Sequence, residues 1–252
     1  MALFKSGNPA LGEKVFERSS SQPYGEVMTI NGTLQKFGIL FMLTIAMAGL
    51  AWKMFASGKD ITTLMWGSVF GALIVALVMA FKMQWAPLLA PIYALLKGFA
   101  VGTISAFYNF AFADIAPNII TQAVTITFGV VVAMYLLYNF KIIRATETFK
   151  SVVITATVGL FFFYMIALVL RMPFIGIDIP FIHEGSTFGI IFSLVVVGLA
   201  ALNLILDFDM IEQGAKRGAP KFMEWYGAFG LLVTIVWLYL EILRLLSKFA
   251  RR

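Results

Sequence analysis

Three carboxylates stand where a long apolar run ends, in Leu202-Asn-Leu-Ile-Leu-Asp-Phe-Asp-Met-Ile-Glu212. Asp207 and Asp209 are two residues apart, roughly 200° around a helix, so they address different faces. Asp209 and Glu212 are three apart and share one. Such an acidic group can hold a proton or a cation, and desolvation at a membrane boundary makes it responsive to pH. Asp209 is its candidate cation ligand. The plainer reading is a hydrated helix end whose acids meet Lys216, Arg217 and Lys221.

A second acid, Glu241, lies 16 residues beyond Trp225, roughly 24 Å along a helix. Arg244 follows three residues later, which makes a local ion pair the plain reading. The alternative is a pathway acid, with Thr234 extending the polar track on the same helix. Lys97 falls about 14 Å from the start of its apolar segment, too deep for easy snorkelling, so a buried partner or a water cavity is expected. Lys82 closes another segment and reads as an interface anchor or a basic partner for the acids.

No enzyme is expected. The single histidine, His183, falls between apolar segments, and the chain has no cysteine. Multi-His metal sites, iron–sulfur clusters and disulfides are therefore excluded. There is no Gly-x-Ser-x-Gly elbow and no phosphate-binding glycine loop. Spacing alone leaves a carboxylate dyad open, but no acid pair sits centrally on two facing segments. A retinal pump needs a lysine midway along the last segment, and Lys248 stands at its end. No cofactor is expected, with calcium only as a permeant or bound ion.

The elements that must position these groups are membrane spans. Of the 252 residues 61% are hydrophobic and 13% charged, against about 25% charged in an ordinary soluble domain. Seven stretches are long enough to cross a bilayer: 37–55, 62–81, 88–110, 118–140, 151–170, 187–206 and 226–246. The expected architecture is an all-α bundle at 37–252 behind a polar tail at 1–36, the first span serving as an uncleaved targeting signal. Pro87 and Pro91 suit the opening of the third span. Gly67 with Gly71, and Gly98 with Gly102, are small-xxx-small pairs that permit close helix approach. The link at 171–186 is apolar yet broken by Pro173 and Pro180, and is expected to dip into the interface. Lys and Arg in the tails, links and span ends number 11 on the side of the N-terminus and 7 on the other, with Lys53 and Arg244 counted at span ends, which favours a cytoplasmic N-terminus. The net charge of +6 is spread over loops and helix ends, so nucleic acid is not an expected partner; lipid is.

Four passages together carry a family resemblance. They are Ser6-Gly-Asn-Pro-Ala-Leu-Gly-Glu-Lys-Val-Phe-Glu-Arg18, Met28-Thr-Ile-Asn-Gly-Thr-Leu-Gln-Lys36, the acidic run ending at Glu212, and Met223-Glu-Trp-Tyr-Gly through Leu-Glu-Ile-Leu-Arg244. Over nearly its whole length the chain resembles the Bax-inhibitor-like (transmembrane Bax inhibitor motif) family, in its bacterial branch. The resemblance implies a seven-helix bundle in a bacterial inner membrane, with the last helix central and the others around it in two groups of three. It also implies a pH-dependent calcium leak, controlled by an aspartate ending the sixth helix, an aspartate in the seventh, and a basic residue near the end of the second. Matched to this chain, Asp209 takes the sixth-helix position, Lys82 stands near the basic one, and Thr234 replaces the seventh-helix aspartate. A threonine cannot share a proton as a carboxyl does. Asp207, Glu212 or Glu241 would have to supply the second carboxylate, and Glu212 is the best placed. A second function carried by relatives is a non-transporting regulator that binds membrane proteases or secretion machinery, with the polar tail as its handle.

Overall fold

The computed structural model describes residues 26–171, 176 and 185–252. The tail motif at 6–18, His183 and most of the 171–186 link lie outside the described residues. Seven helices are each long and apolar enough to cross a membrane. They are α1 Ile30–Ala56, α2 Thr62–Phe81, α3 Ala86–Ala111, α4 Ile119–Asn139, α5 Glu147–Leu170, α6 Thr187–Lys216 and α7 Met223–Ala250. Among the described residues there is no strand, only an isolated bridge between Val27 and Pro220.

The helices outrun the apolar stretches that define the spans. α1 starts at Ile30 rather than Phe37, because the Thr29 side chain accepts from Gly32 N–H and caps it. Residues 30–36 therefore belong to the bundle, not to the tail. Thr146 and Ser186 cap α5 and α6 in the same way. Before α2, Asp60 accepts the Thr62 N–H at 2.9 Å, and this bond holds its carboxyl below the usual carboxylate range. Gly58 (φ 74°) and Gly218 (φ 65°) take left-handed conformations in the α1–α2 and α6–α7 turns. Lys141 adopts φ 57° in the tight α4–α5 turn, where a side chain is tolerated but rare.

α7 is the axis. It packs against α1, α3, α4 and α6 and buries residues of nearly every face, from Gly227 and Phe229 to Leu243 and Leu245. α1 and α3 approach most closely at Gly98 and Gly102. A Cβ at either position would stand 2.4 Å from a backbone oxygen, of Thr44 or Ala48. In a bilayer, where lipid tails are as apolar as leucine, such van der Waals contact drives association. The other glycine pair differs: Gly67 faces open space, and a Cβ on Gly71 would meet only the tip of Leu96.

Candidate functional site

Three groups of polar side chains among the described residues hold the acids singled out from the sequence. The first lies where α6 meets α7. Asp207, Met210 and Ile211 form one stripe of α6, three and four residues apart, and all three face α7. Gly227 and Gly230 make room for them: a Cβ on Gly227 would be 3.2 Å from Ile211, and one on Gly230 would be 3.7 Å from Asp207 Oδ1. The Asp207 carboxyl lies towards Thr234, whose Oγ1 donates to Gly230 O at 3.3 Å. Asp207 Oδ2 is buried and has no hydrogen-bond partner among the described residues.

The second place is the other face of α6. Asp209 is buried; its Oδ2 pairs with Lys150 Nζ of α5 at 2.9 Å, and Tyr138 of α4 donates to its Oδ1 at 3.4 Å. The same Tyr138 hydroxyl donates to Glu212, which is paired with Lys216. Lys150 is shared with exposed Glu147 at 3.2 Å. Tyr138, Asp209 and Glu212 line a cavity of about 560 Å³ between α1, α4, the α4–α5 turn and α6.

The third place is the opposite end of α7. Arg244 Nη1 donates to both Glu241 oxygens at 2.9 Å and to the Tyr164 hydroxyl of α5 at 2.9 Å. Tyr164 in turn donates to Glu241 at 3.5 Å, and its ring lies 5.6 Å from the guanidinium carbon. One turn further along, Lys248 is fully buried and donates to Gly189 O at 2.8 Å.

This placement reverses one assignment made from the sequence. Asp207 and Asp209 do point to different faces, as their spacing requires, but Asp207 is the one that faces Thr234. Asp209 and Glu212 turn towards α4 and α5. The small residues of α7 decide it, since α6 comes closest where Gly227 and Gly230 lie. Glu212 therefore cannot supply a second carboxylate opposite Thr234, and Glu241 is engaged by Arg244 at the far end. Lys82 caps α2 and is exposed; the cation that reaches Asp209 is Lys150. Lys97 is half-buried in α3 and forms no ion pair among the described residues. Both Asp209 oxygens are occupied by protein donors, so a calcium ion there would have to displace Lys150. Among the described residues no three acids or histidines cluster to hold a metal.

Sequence reasoning passed over Lys150, Tyr138, Tyr164 and Glu224. Lys150 and Glu224 fall in links by sequence because the apolar windows that follow them begin only at 151 and 226. Glu224 is fully buried at the start of α7, where it accepts the Thr29 N–H and hydroxyl at 3.0 Å each. It also pairs with Lys36 at 3.1 Å and Lys221 at 3.3 Å. The backbone confirms the attachment: Met28 N–H donates to Ala219 O at 2.7 Å, and Lys221 N–H to Glu26 O at 3.0 Å. A Cβ on Gly32 would overlap the Glu224 carboxylate at 2.0 Å. The Glu-Trp-Tyr-Gly opening of α7, beside the Thr-Ile-Asn-Gly opening of α1, was the available signal.

Seven spanning helices among the described residues, the last of them buried among its neighbours, define a multi-pass membrane protein. The chain belongs to the Bax inhibitor 1 like family, whose model matches residues 8–251, nearly its whole length. No curated protein and no solved structure matches it significantly.

Proposed function

We propose that this protein is a passive leak for calcium or related cations, modulated by pH and controlled where α6 meets α7. The observation that carries the reading is Asp207: a carboxyl set between two helices, towards Thr234, with one buried oxygen unpartnered among the described residues. A buried ionisable group in a membrane bundle is costly and is retained where it serves a pathway. Family membership supports the same reading. In this account Asp207 titrates alone, because Thr234 offers a hydroxyl and no second carboxyl. The Asp209–Lys150–Tyr138–Glu212 network forms the mouth at one end, and Glu241–Arg244–Tyr164 closes the other. The greater count of Lys and Arg on the N-terminal side supports an orientation with that mouth facing the cytoplasm, in a bacterial inner membrane.

The test is calcium-indicator flux in liposomes holding the purified full chain, across the neutral pH range. Flux above that of protein-free liposomes, lowered by Asp207→Asn, supports the leak. Flux equal to that of empty liposomes rejects it. Recovery of a membrane protease on the same purified chain, untouched by Asp207→Asn, would then favour the regulator.

A further inference from the structure

The cavity beside Asp209 has a wall that the acid network does not use. Its apolar side is made by Ile30 and Leu34 of α1 and Tyr135 of α4, all exposed on the outside of the bundle. The cavity therefore opens sideways, between α1 and α4, to the lipid. Its rim is the α4–α5 turn, Phe140-Lys141-Ile142-Ile143-Arg144. Phe140 and Ile142, on the same turn, are 68% and 69% exposed, two large apolar side chains that no part of the described bundle covers. Lys141 and Arg144, both on the cavity wall, form no ion pair among the described residues.

The charge on this wall settles what it would hold. Asp209 is neutralised by Lys150, with Tyr138 donating to it as well. Glu212 is neutralised by Lys216 and lies in the field of Lys141. Glu147 faces solvent and shares Lys150. Four cations stand against three acids, and the one positive charge in excess is carried by Lys141 and Arg144, which have no ion pair among the described residues, above a slot with apolar walls. A soluble anion would use the cations and leave the slot empty; a neutral lipid would do the reverse.

We propose that this groove binds one anionic phospholipid, its phosphate between Lys141 and Arg144 and an acyl chain along Ile30, Leu34 and Tyr135. Basic pockets between membrane helices select such headgroups, and each interfacial cation adds to the attraction. The bound lipid bridges α1 to the α4–α5 turn and covers the mouth beside Asp209. The site does not depend on whether the bundle conducts.

The experiment is native mass spectrometry of the detergent-purified full chain, titrated with phosphatidylglycerol, phosphatidylcholine or inorganic phosphate. One phosphatidylglycerol is expected to be retained in preference to phosphatidylcholine by on the order of thirtyfold, what two interfacial cations supply. Inorganic phosphate is expected not to displace it. Lys141→Ala with Arg144→Ala should bring the preference to within about twofold. Lys53→Ala with Lys59→Ala, at the opposite end of the bundle, should leave it unchanged. Equal retention of the two lipids by the wild type overturns the proposal, whatever the variants do. So does displacement by free phosphate, or a preference that survives loss of both cations.

Discussion

α7 and α5 are both apolar helices in one bundle, yet they are held by opposite means. α7 is buried on nearly every face and carries its polar groups inward: Glu224, Thr234, Glu241 and Lys248 are all buried. α5 buries a single residue, Val153. What holds it is a ladder of three polar contacts at three depths. Lys150 reaches Asp209, Thr157 receives the Asn203 amide at 2.8 Å, and Tyr164 joins Glu241 and Arg244. Lipid gives two apolar helices no reason to associate, so a helix without close packing must be tied by hydrogen bonds. The two ends of the ladder belong to the two acid networks. α5 is thus a peripheral helix able to sense the charge state of both.

Breaking the contacts of α7 should cost more than breaking those of α5. Glu224→Ala removes a buried acceptor of two Thr29 donors and two lysines, and is expected to destabilise the fold by about 3 kcal/mol. Thermal unfolding in a defined detergent measures it, and a loss of only a few tenths would mean the α1–α7 attachment is ornamental. Next comes Glu241→Ala, which strips Arg244 of its carboxylate and should cost about 2 kcal/mol. Glu241→Gln should recover part of this, because an amide still accepts from Arg244. Asn203→Leu, in the middle of the ladder, should cost only about 0.6 kcal/mol, the usual worth of a hydrogen bond between membrane helices. The smallest effect on unfolding is expected for Lys150→Ala, since that lysine is partly hydrated. Its signature is positional: spin labels on α5 and α6 near that end should report a broader distance distribution. An unchanged distribution would deny Lys150 its role as a tether.

Much of this contrast could be read from the residues, and part could not. Seven spans followed from segment length and hydropathy, because the bilayer imposes both. That Asp207 and Asp209 face apart followed from helix geometry alone. Which of them faces α7 did not, because the answer lies in Gly227 and Gly230 on another helix. The same limit hid Lys150, Tyr138 and Tyr164, whose partners are 59 to 80 residues away along the chain. Glu241 with Arg244 was legible as a pair of neighbours three apart. Its third member was not. Glu224 was missed for a different reason: helices continue past the apolar windows, and their polar ends are buried by the neighbouring chain.

The central claim is that control resides where Asp207 faces Thr234, and Thr234→Asp tests it most directly. Two carboxyls facing each other in that seal must share a proton, since both cannot ionise at contact distance. Calcium flux through liposomes bearing this variant should acquire a steep step with pH that the wild type lacks, and Asp207→Asn in the same background should remove the step. A flux profile for Thr234→Asp that overlies the wild type, while Asp209→Asn reshapes it, would contradict the account and return control to the Asp209–Lys150 face.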